Sequence, residues 1–205
     1  MIDAVVWDIG CVLIKYDPVR FFTGAIGPDR TKALFDTVDL ESYNLRSDAG
    51  EPLRDTMAEA AAAHPDFANE IGMFWDHWID MAGPEIPGSV RLLATLKQRG
   101  IPVLALSNFG RETFDIACTR YPFLTTFDRA YISAHLGQIK PNPDFYETLE
   151  RDSGYAPSRL LFTDDKPENI ATAAARGWQT HLFQGPDGWA DCLLAHGLLN
   201  HEDIQ

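Results

Sequence analysis

The sequence predicts an α/β fold in which a central parallel sheet is flanked by helices and interrupted by a helical insert. Three observations lead to this prediction. Short apolar runs alternate with amphipathic helical patterns, glycines follow several of those patterns, and one long segment after the first apolar run contains helical patterns only. Strands that alternate with helices need crossover connections, which produce parallel sheets. The length of 205 residues fits one domain with an insertion.

Five apolar runs are predicted as buried strands because they are short, apolar on both faces and bounded by glycine, proline or acidic residues. In chain order they are Asp3–Trp7, Ile101–Leu106, Ala130–Ile132, Leu160–Phe162 and Thr180–Phe183. The helices predicted between them are Ser89–Arg99, Arg111–Arg120, Pro143–Asp152 and Pro167–Arg176, three of which are followed by a terminating glycine. In such a sheet, polar residues just past the carboxyl ends of the strands line the ligand crevice.

The segment 16–87 is predicted to be helical throughout. Its helices are expected at Pro18–Ala25, Asp29–Val38, Glu51–His64 and Asp66–Met81, separated by Gly27-Pro28, by an irregular stretch at Leu45–Gly50 and by His64-Pro65. Gly83–Gly88 is expected to be a stiff return linker, because it contains two prolines. We therefore divide the chain into an α/β core, residues 1–15 and 88–205, and a small inserted helical domain, residues 16–87.

Composition and charge restrict the classes of partner. Hydrophobic residues make up 45% and charged residues 23%, which excludes global disorder. The formal net charge of −13, without a basic run, argues against binding to nucleic acid or to an anionic membrane.

The first fifteen residues contain Asp3 and Asp8 and lack the basic start of a signal peptide, and no segment has the apolar length of a membrane span. We expect a cytoplasmic protein, either a monomer or a homodimer.

The three cysteines are Cys11, Cys118 and Cys192. They are odd in number, far apart in sequence and contain no CxxC pair, so they indicate neither a disulfide framework nor a zinc knuckle. We expect them to be reduced thiols that fill the core.

Specific polar side chains follow the predicted strands. Asp8 follows the first strand, and Ser107 and Asn108 follow the second. Asp164 and Asp165 come after the strand Leu160–Phe162, and Lys140 lies in a loop. An aspartate such as Asp8 can attack phosphorus to form an acyl phosphate, which splits one difficult displacement into two easier ones. Mg²⁺ binds one or two carboxylates together with phosphate and water, and Asp8 with Asp165 can supply them. Lys140 and Ser107 are suited to hold the phosphoryl oxygens.

The segments WDIGCVL, LALSN, GQIKPNP and FTDDKPENI resemble, in order, the four motifs of the haloacid dehalogenase-like superfamily. The helical insert lies where that family carries its cap domain. The resemblance implies a Rossmann-like three-layer core with an inserted α-helical cap. It also implies Asp8 as nucleophile, the Gly10 carbonyl as a further Mg²⁺ ligand, and Asp164 as a ligand that assists or binds through water. Ser107, Asn108 and Lys140 would contact the substrate.

One position departs from the pattern of the family's phosphatases. They generally carry a second aspartate two residues after the nucleophile, where it protonates the leaving alcohol and later activates water, but this chain has Gly10. Such a general acid and base is worth about 10²–10⁴ in rate. A subset of the superfamily with an Asp-x-Gly first motif includes sugar-phosphate phosphatases. Either another group or water supplies the proton, or the substrate has a good leaving group such as a sugar anomeric oxygen or an acyl phosphate. Asp17 is an alternative acid, although its place before Pro18 favours a helix N-cap.

The sequence therefore predicts a Mg²⁺-dependent hydrolase of a small phosphorylated metabolite, with sugar phosphates ahead of other compounds. One alternative is a metal-independent 2-haloacid dehalogenase, which does not need the acidic pair Asp164-Asp165. Another is a phosphoacceptor signalling domain, in which the acidic pair would follow the first strand. A third is a non-enzymatic binding protein, suggested by Gly10. The chain contains no Cys-x₅-Arg, GxxxxGK[ST], GxGxxG or HExxH motif.

Overall fold

A computed structural model describes residues 1–204 of the chain. In chain order the strands within them are β1 (Ala4–Trp7), β2 (Ile14–Tyr16), β3 (Ala82–Glu85), β4 (Val103–Ser107), β5 (Arg129–Ile132), β6 (Leu160–Asp164) and β7 (Gln179–Leu182). Five of them form a parallel sheet in the order β5-β4-β1-β6-β7. These five are the strands predicted from the apolar runs, with ends within two residues of the prediction. The expectation that all five are buried is wrong for β7, whose residues are exposed or half-buried because it lies at the edge of the sheet.

Helices alternate with these strands. They are α1 (Pro18–Ile26), α2 (Pro28–Thr37), α3 (Leu40–Asp48), α4 (Leu53–Ala63), α5 (Ala68–Asp76), α6 (Trp78–Met81), α7 (Pro87–Gln98), α8 (Arg111–Arg120), α9 (Ser133–Leu136), α10 (Pro143–Ser153), α11 (Pro167–Ala175) and α12 (Pro186–Ala195), with short 3-10 turns at Pro65–Phe67, Pro122–Thr126, Pro157–Arg159 and His201–Ile204. The four helices predicted in the core occur as α7, α8, α10 and α11. Across residues 1–204, every helix is too short or too polar to cross a membrane.

The sheet buries a different apolar cluster on each of its faces, because successive side chains of a strand point to opposite sides. Val5 and Trp7 of β1 belong to one cluster, which includes side chains of α7, α8, α12 and the helices α1–α6. Ala4 and Val6 belong to the other, with side chains of α10 and α11. The result is the α/β, Rossmann-like three-layer arrangement that the sequence predicts.

The prediction that residues 16–87 are helical throughout is wrong at both ends of that segment. β2 and β3 form an antiparallel pair in which Ile14 lies opposite Glu85 and Tyr16 opposite Ala82. The pair joins the segment by which the chain enters the insert, β2, to the segment by which it leaves, β3. The predicted linker Gly83–Gly88 is correspondingly replaced by the end of β3 and the start of α7. Strands of three and four residues are too short for a period-2 pattern, and Gly83-Pro84 disfavours a strand.

The predicted irregular stretch Leu45–Gly50 is also wrong, because α3 continues to Asp48. The Asp39 carboxylate caps this helix by accepting a hydrogen bond from the Ser42 N–H at 3.1 Å. Only Leu40 and Ser47 of α3 are buried, so the apolar periodicity is too weak to identify the helix from sequence. The single helix predicted at Asp66–Met81 is instead divided into a 3-10 turn, α5 and α6.

A partly buried ion pair ties α10 to the chain that follows α11, and it leads to a stability prediction. Glu150 accepts hydrogen bonds from Arg176 Nε at 2.8 Å, Arg176 Nη2 at 2.7 Å and Trp178 Nε1 at 2.7 Å. Burial raises the pKa of Glu150, but these donors outweigh burial and lower it overall. The stabilisation is therefore present above the unfolded pKa of about 4.3 and is lost as the pH falls through the lower folded-state value.

We expect Glu150→Gln to lower the free energy of unfolding by about 1.5–3 kcal/mol at pH 7, because charged hydrogen bonds are lost. Urea unfolding at pH 7 and pH 3 measures this, and the deficit should be smaller at pH 3. Glu147→Gln is the matched control, since Glu147 is 59% exposed and its carboxylate lies 3.8 Å from Arg176. Its effect should be below about 1 kcal/mol. Equal losses in the two variants would contradict the role assigned to Glu150.

Candidate active site

The carboxyl ends of β1, β4 and β6 meet at one edge of the sheet. Trp7, the last residue of β1, pairs with Ala105 of β4 and with Thr163 of β6. Asp8 follows Trp7 directly and is 7% exposed. Its Oδ1 atom accepts hydrogen bonds from the Ser107 hydroxyl at 2.7 Å and from the Ile9 N–H at 2.7 Å. The parallel register thus brings the predicted Asp8 and Ser107 into direct contact.

Lys140 enters the same site from the loop between α9 and α10. Its side chain is 1% exposed, and Nζ lies 2.9 Å from Asp8 Oδ1 and 2.6 Å from Asp164 Oδ2. Asn108 holds this loop: its Nδ2 donates to the Lys140 carbonyl at 2.9 Å, and its Oδ1 accepts from the Lys140 N–H at 2.7 Å. Both polar atoms of the Asn108 side-chain amide therefore form hydrogen bonds with the Lys140 backbone.

Asp164 is fully buried at the end of β6 and is held by several donors. Its Oδ1 accepts from the Lys166 N–H at 2.8 Å, and the Asn169 amide donates to both carboxylate oxygens, at 2.9 and 3.0 Å. Asp165, the next residue, is partly exposed. The adjacent aspartates therefore have different surroundings: Asp164 is fully buried, and Asp165 is half-buried.

The site contains more negative than positive charge. Burial raises the pKa of Asp8 to about 7; Lys140 and Ser107 oppose this rise, and the Asp164 charge adds to it. Burial and the Asp164 charge raise the pKa of Asp165 as well. For Lys140, burial lowers the pKa, but the Asp8 and Asp164 carboxylates outweigh it, so the pKa is raised overall. Three carboxylates around one ammonium group favour binding of a further cation.

The three carboxylates fit a magnesium ion. One oxygen from each of Asp8, Asp164 and Asp165 lies within 4.8 Å of the others. Neighbouring oxygens 2.0–2.1 Å from Mg²⁺ in an octahedron are about 3 Å apart, so the carboxylates need to close by at most about 2 Å. An all-oxygen donor set is also the chemistry that Mg²⁺ prefers. Gly10 lies two residues beyond Asp8, in the turn that leaves β1.

That turn has an unusual backbone. The N–H groups of Leu13 and Ile14 both point to the Ile9 carbonyl, at 2.8 and 3.1 Å, and Cys11 has a φ of 57°. A positive φ is uncommon for a residue other than glycine. The expectation that Cys11 fills the core is wrong, because it is exposed next to the site, where the turn directs it outward. Cys118 and Cys192 are partly buried, and all three cysteines are free.

The C-terminal end of α3 packs on the loop that follows Ser107. A Cβ atom on Gly110 would lie 2.7 Å from Ser47 Oγ and 2.8 Å from Thr113 Oγ1, so α3 approaches this glycine closely. Asp48 lies next to Ser47 and is close enough to feel the charges of Lys166, Asp8 and Lys140. Burial raises the pKa of Asp48 to about 7. Asp48 and Asn169 are site residues that are absent from the predicted set.

The two residues differ in what the sequence could have indicated. Asn169 follows the acidic pair at the start of α11 and lies within the quoted segment FTDDKPENI, so the motif itself was a signal. Asp48 lies in a stretch predicted to be irregular, where no periodicity indicates which side chain faces the core. Its position near the site depends on how α3 packs, which is a tertiary property.

Comparison with known proteins assigns the family. A family model described as haloacid dehalogenase-like hydrolase matches residues 2–177. The chain belongs to the haloacid dehalogenase-like hydrolases. This hydrolase is 39% identical over 64 residues to D-ribitol-5-phosphate phosphatase of Bacteroides thetaiotaomicron, an alignment that covers 31% of this chain and 30% of the relative. It is 31% identical over 103 residues to a sesquiterpene phosphatase of Aspergillus oryzae, covering 50% of this chain and 51% of the relative. The chain spans about half or less of the length of the curated relatives it matches.

Solved structures share the fold of this hydrolase over nearly its whole length. A family enzyme of Bacteroides thetaiotaomicron superposes with a TM-score of 0.73 and 22% identity, covering 94% of this chain and 98% of that one. The same enzyme in complex with magnesium and inorganic phosphate gives 0.71, with coverage of 94% and 99%. An L-2-haloacid dehalogenase of Xanthobacter autotrophicus, with chloropropionic acid covalently bound, gives 0.62 at 19% identity, covering 98% of this chain and 85% of that one.

Proposed function

We propose that this hydrolase is a Mg²⁺-dependent phosphatase of small phosphomonoesters, such as sugar phosphates, that works through a phosphorylated Asp8. The observation that carries the proposal is the cluster of Asp8, Asp164 and Asp165, whose carboxylate oxygens lie within 4.8 Å of one another. A metal-independent dehalogenase that attacks carbon does not need the acidic pair Asp164-Asp165, whereas a metal-dependent phosphatase does. The two phosphatases among the relatives, and the related enzyme that binds magnesium and phosphate, support the same class.

Each residue of the cluster has a role in the proposed reaction. The contacts from Ser107, Ile9 and Lys140 all use Asp8 Oδ1, so we assign Oδ2 to the attack on phosphorus. Lys140 would offset charge on the phosphoryl oxygens, and the Ser107 hydroxyl would donate to one of them. We propose that Asn108 positions Lys140 through its backbone.

The metal would be held by oxygen atoms around Asp8. The proposed direct ligands are Asp8, Asp165 and the Gly10 carbonyl. We propose that Asp164 assists or binds the metal through water, because Lys140, Asn169 and the Lys166 N–H already donate to its carboxylate oxygens. Mg²⁺ bound there would supply positive charge that offsets the repulsion between Asp8 and a phosphate dianion. Residues 1–15 and 88–205 would form the catalytic core, and residues 16–87 a cap that sets selectivity and excludes water.

A phosphatase screen tests the proposal. Purified protein is assayed for phosphate release from a panel of sugar phosphates and other phosphomonoesters with Mg²⁺, and again after EDTA treatment. We expect hydrolysis with Mg²⁺ and a loss on the order of 10³-fold without it, because a bound metal contributes several kcal/mol of charge stabilisation. Re-addition of Mg²⁺ should restore the rate.

Two further measurements on the same protein, halide release from 2-haloacids and mass spectrometry for phospho-Asp8, identify the alternative functions. Halide release from 2-haloacids that persists in EDTA would replace the phosphatase with a metal-independent dehalogenase. A stable phospho-Asp8 that is never hydrolysed would indicate a phosphoacceptor protein. Inactivity toward the whole panel in Mg²⁺ would contradict the proposed function.

A further inference from the structure

The proposed reaction needs a proton donor that the first motif does not contain. Gly10 has no side chain to protonate the leaving group, and Lys140 is held between Asp8 and Asp164. Asp17, the alternative in the sequence, is exposed and caps α1 by accepting a hydrogen bond from the Arg20 N–H at 2.9 Å. Without a donor, the leaving alcohol would depart as an alkoxide, at a cost of about 10²–10⁴ in rate.

The packing of α3 places another carboxyl group at the site. Ser47 sits against Gly110, three residues beyond the Ser107 that contacts Asp8, and the Gly110 backbone N–H lies close enough to the Asp48 carboxylate to lower its pKa. Gly50, just beyond α3, packs near the Ala134 carbonyl of α9. The end of α3 therefore packs against the loop that follows Ser107 and against α9, which precedes the loop of Lys140.

The surroundings of Asp48 suit a group that exchanges protons. Asp48 is half-buried, and its Oδ2 accepts a hydrogen bond from Asn44 Nδ2 at 3.3 Å. Burial raises its pKa to about 7, against the lowering effects of the Lys166 charge, the Gly110 amide and the Lys140 charge, while the Asp8 charge adds to the rise. A general acid and base works best when its pKa lies near the operating pH.

Charged and titratable groups on the elements around α3 fall into two sets. Tyr16 of β2, Lys166 ahead of α11, Lys140 and Asp8 interact electrostatically with Asp48. Of the remaining groups, Glu51 and Glu59 pair with Arg46, Arg111 of α8 donates to the Ala134 carbonyl, and His135 of α9 packs edge-on against Phe114. Glu41 of α3 and Arg54 and Asp55 of α4 are exposed to solvent. Burial has the largest effect on the pKa of Asp48, and the charges of Lys166, Asp8 and Lys140 modify it.

We infer that Asp48, carried by the helical insert, is the general acid and base that replaces the missing side chain at Gly10. The inference rests on the proposed phosphatase function. In the first step Asp8 Oδ2 bonds to phosphorus, the bond from phosphorus to the leaving oxygen breaks, and the protonated Asp48 gives its proton to that oxygen. In the second step the Asp48 carboxylate takes a proton from water as the water oxygen bonds to phosphorus. The bond from phosphorus to Asp8 then breaks, which releases phosphate and leaves Asp8 as a carboxylate and Asp48 protonated.

Two aryl phosphates of similar shape test this role. p-Nitrophenolate leaves readily without a proton, whereas phenolate leaves poorly without one. In Mg²⁺ we expect Asp48→Asn to lower kcat/KM for phenyl phosphate by about 10²–10⁴, and the first release of p-nitrophenolate by less than about tenfold. Because the second step also loses its base, p-nitrophenolate should appear as a burst equal to the enzyme concentration. Phospho-Asp8 should then accumulate and be visible by mass spectrometry.

The controls separate proton transfer from a structural role. Asp55→Asn changes an exposed aspartate of the neighbouring α4 and should leave both substrates unaffected. Asp48→Glu keeps an ionisable group and should recover part of the phenyl phosphate activity. Equal losses for both substrates with no burst, or unchanged activity, would overturn the inference while leaving the phosphatase intact. A wild-type protein that hydrolyses neither compound nor any member of the panel would instead refute the proposed function.

Discussion

Asp8→Asn is expected to abolish turnover, with kcat/KM lower by on the order of 10⁴-fold or more, because an amide does not form the covalent phosphoenzyme. The substitution is nearly isosteric. The Asn Oδ1 atom still accepts from the Ile9 N–H and the Ser107 hydroxyl, and Lys140 keeps its contact with Asp164. The fold should therefore persist, and the loss should be chemical. Initial rates on the best substrate of the panel, with mass spectrometry of the quenched enzyme, measure both consequences.

A matched control guards against a general effect of removing negative charge. Asp29→Asn makes the same change at an exposed position in the first turn of α2 and should retain wild-type activity. Thermal unfolding of both variants checks that they are folded. If Asp8→Asn kept substantial activity, or if a phosphoryl group appeared on another residue, the covalent role of Asp8 would be contradicted.

Lys140→Met is expected to produce the largest loss of stability, about 3–5 kcal/mol in the free energy of unfolding, since it removes one partner of a buried ionic cluster. The ammonium lies within 3 Å of carboxylates on both Asp8 and Asp164, and its side chain is 1% exposed. Methionine fills a similar volume but leaves two buried carboxylates without their common counter-ion. Urea unfolding in EDTA at neutral pH measures the deficit.

Two further measurements make this prediction specific. Lys15→Met changes an exposed lysine of β2 and should alter the free energy of unfolding by less than about 0.5 kcal/mol. Added Mg²⁺ should recover part of the stability of Lys140→Met, because an ion that binds the folded state stabilises it and here supplies charge to the same carboxylates. A deficit no larger than that of Lys15→Met would contradict the role of Lys140 as counter-ion.

Much of the fold could be predicted because it depends on local patterns. The central strands are continuous apolar runs and the core helices have one-face periodicity, both of which are properties of neighbouring residues. The weakly amphipathic α3 and the short pair β2–β3 lack such patterns. Pairing of Ile14 with Glu85 joins positions far apart in the chain, and no local window contains both. These elements exist because the surrounding structure supplies their partners.

The sequence by itself determined which chemistry is available at the sheet edge. Asp8, Ser107 and Asp164 each follow or end an apolar strand, and parallel strands must align their carboxyl ends, so their convergence follows from strand-end position. Only the tertiary structure decided what the helical insert adds to that edge. Ser47 of α3 packs against Gly110, which places the neighbouring Asp48 within range of the charges of Asp8 and Lys140, and burial there raises the pKa of Asp48. Burial and long-range packing depend on the whole fold, whereas a residue's place at the end of a strand is already encoded in its neighbours.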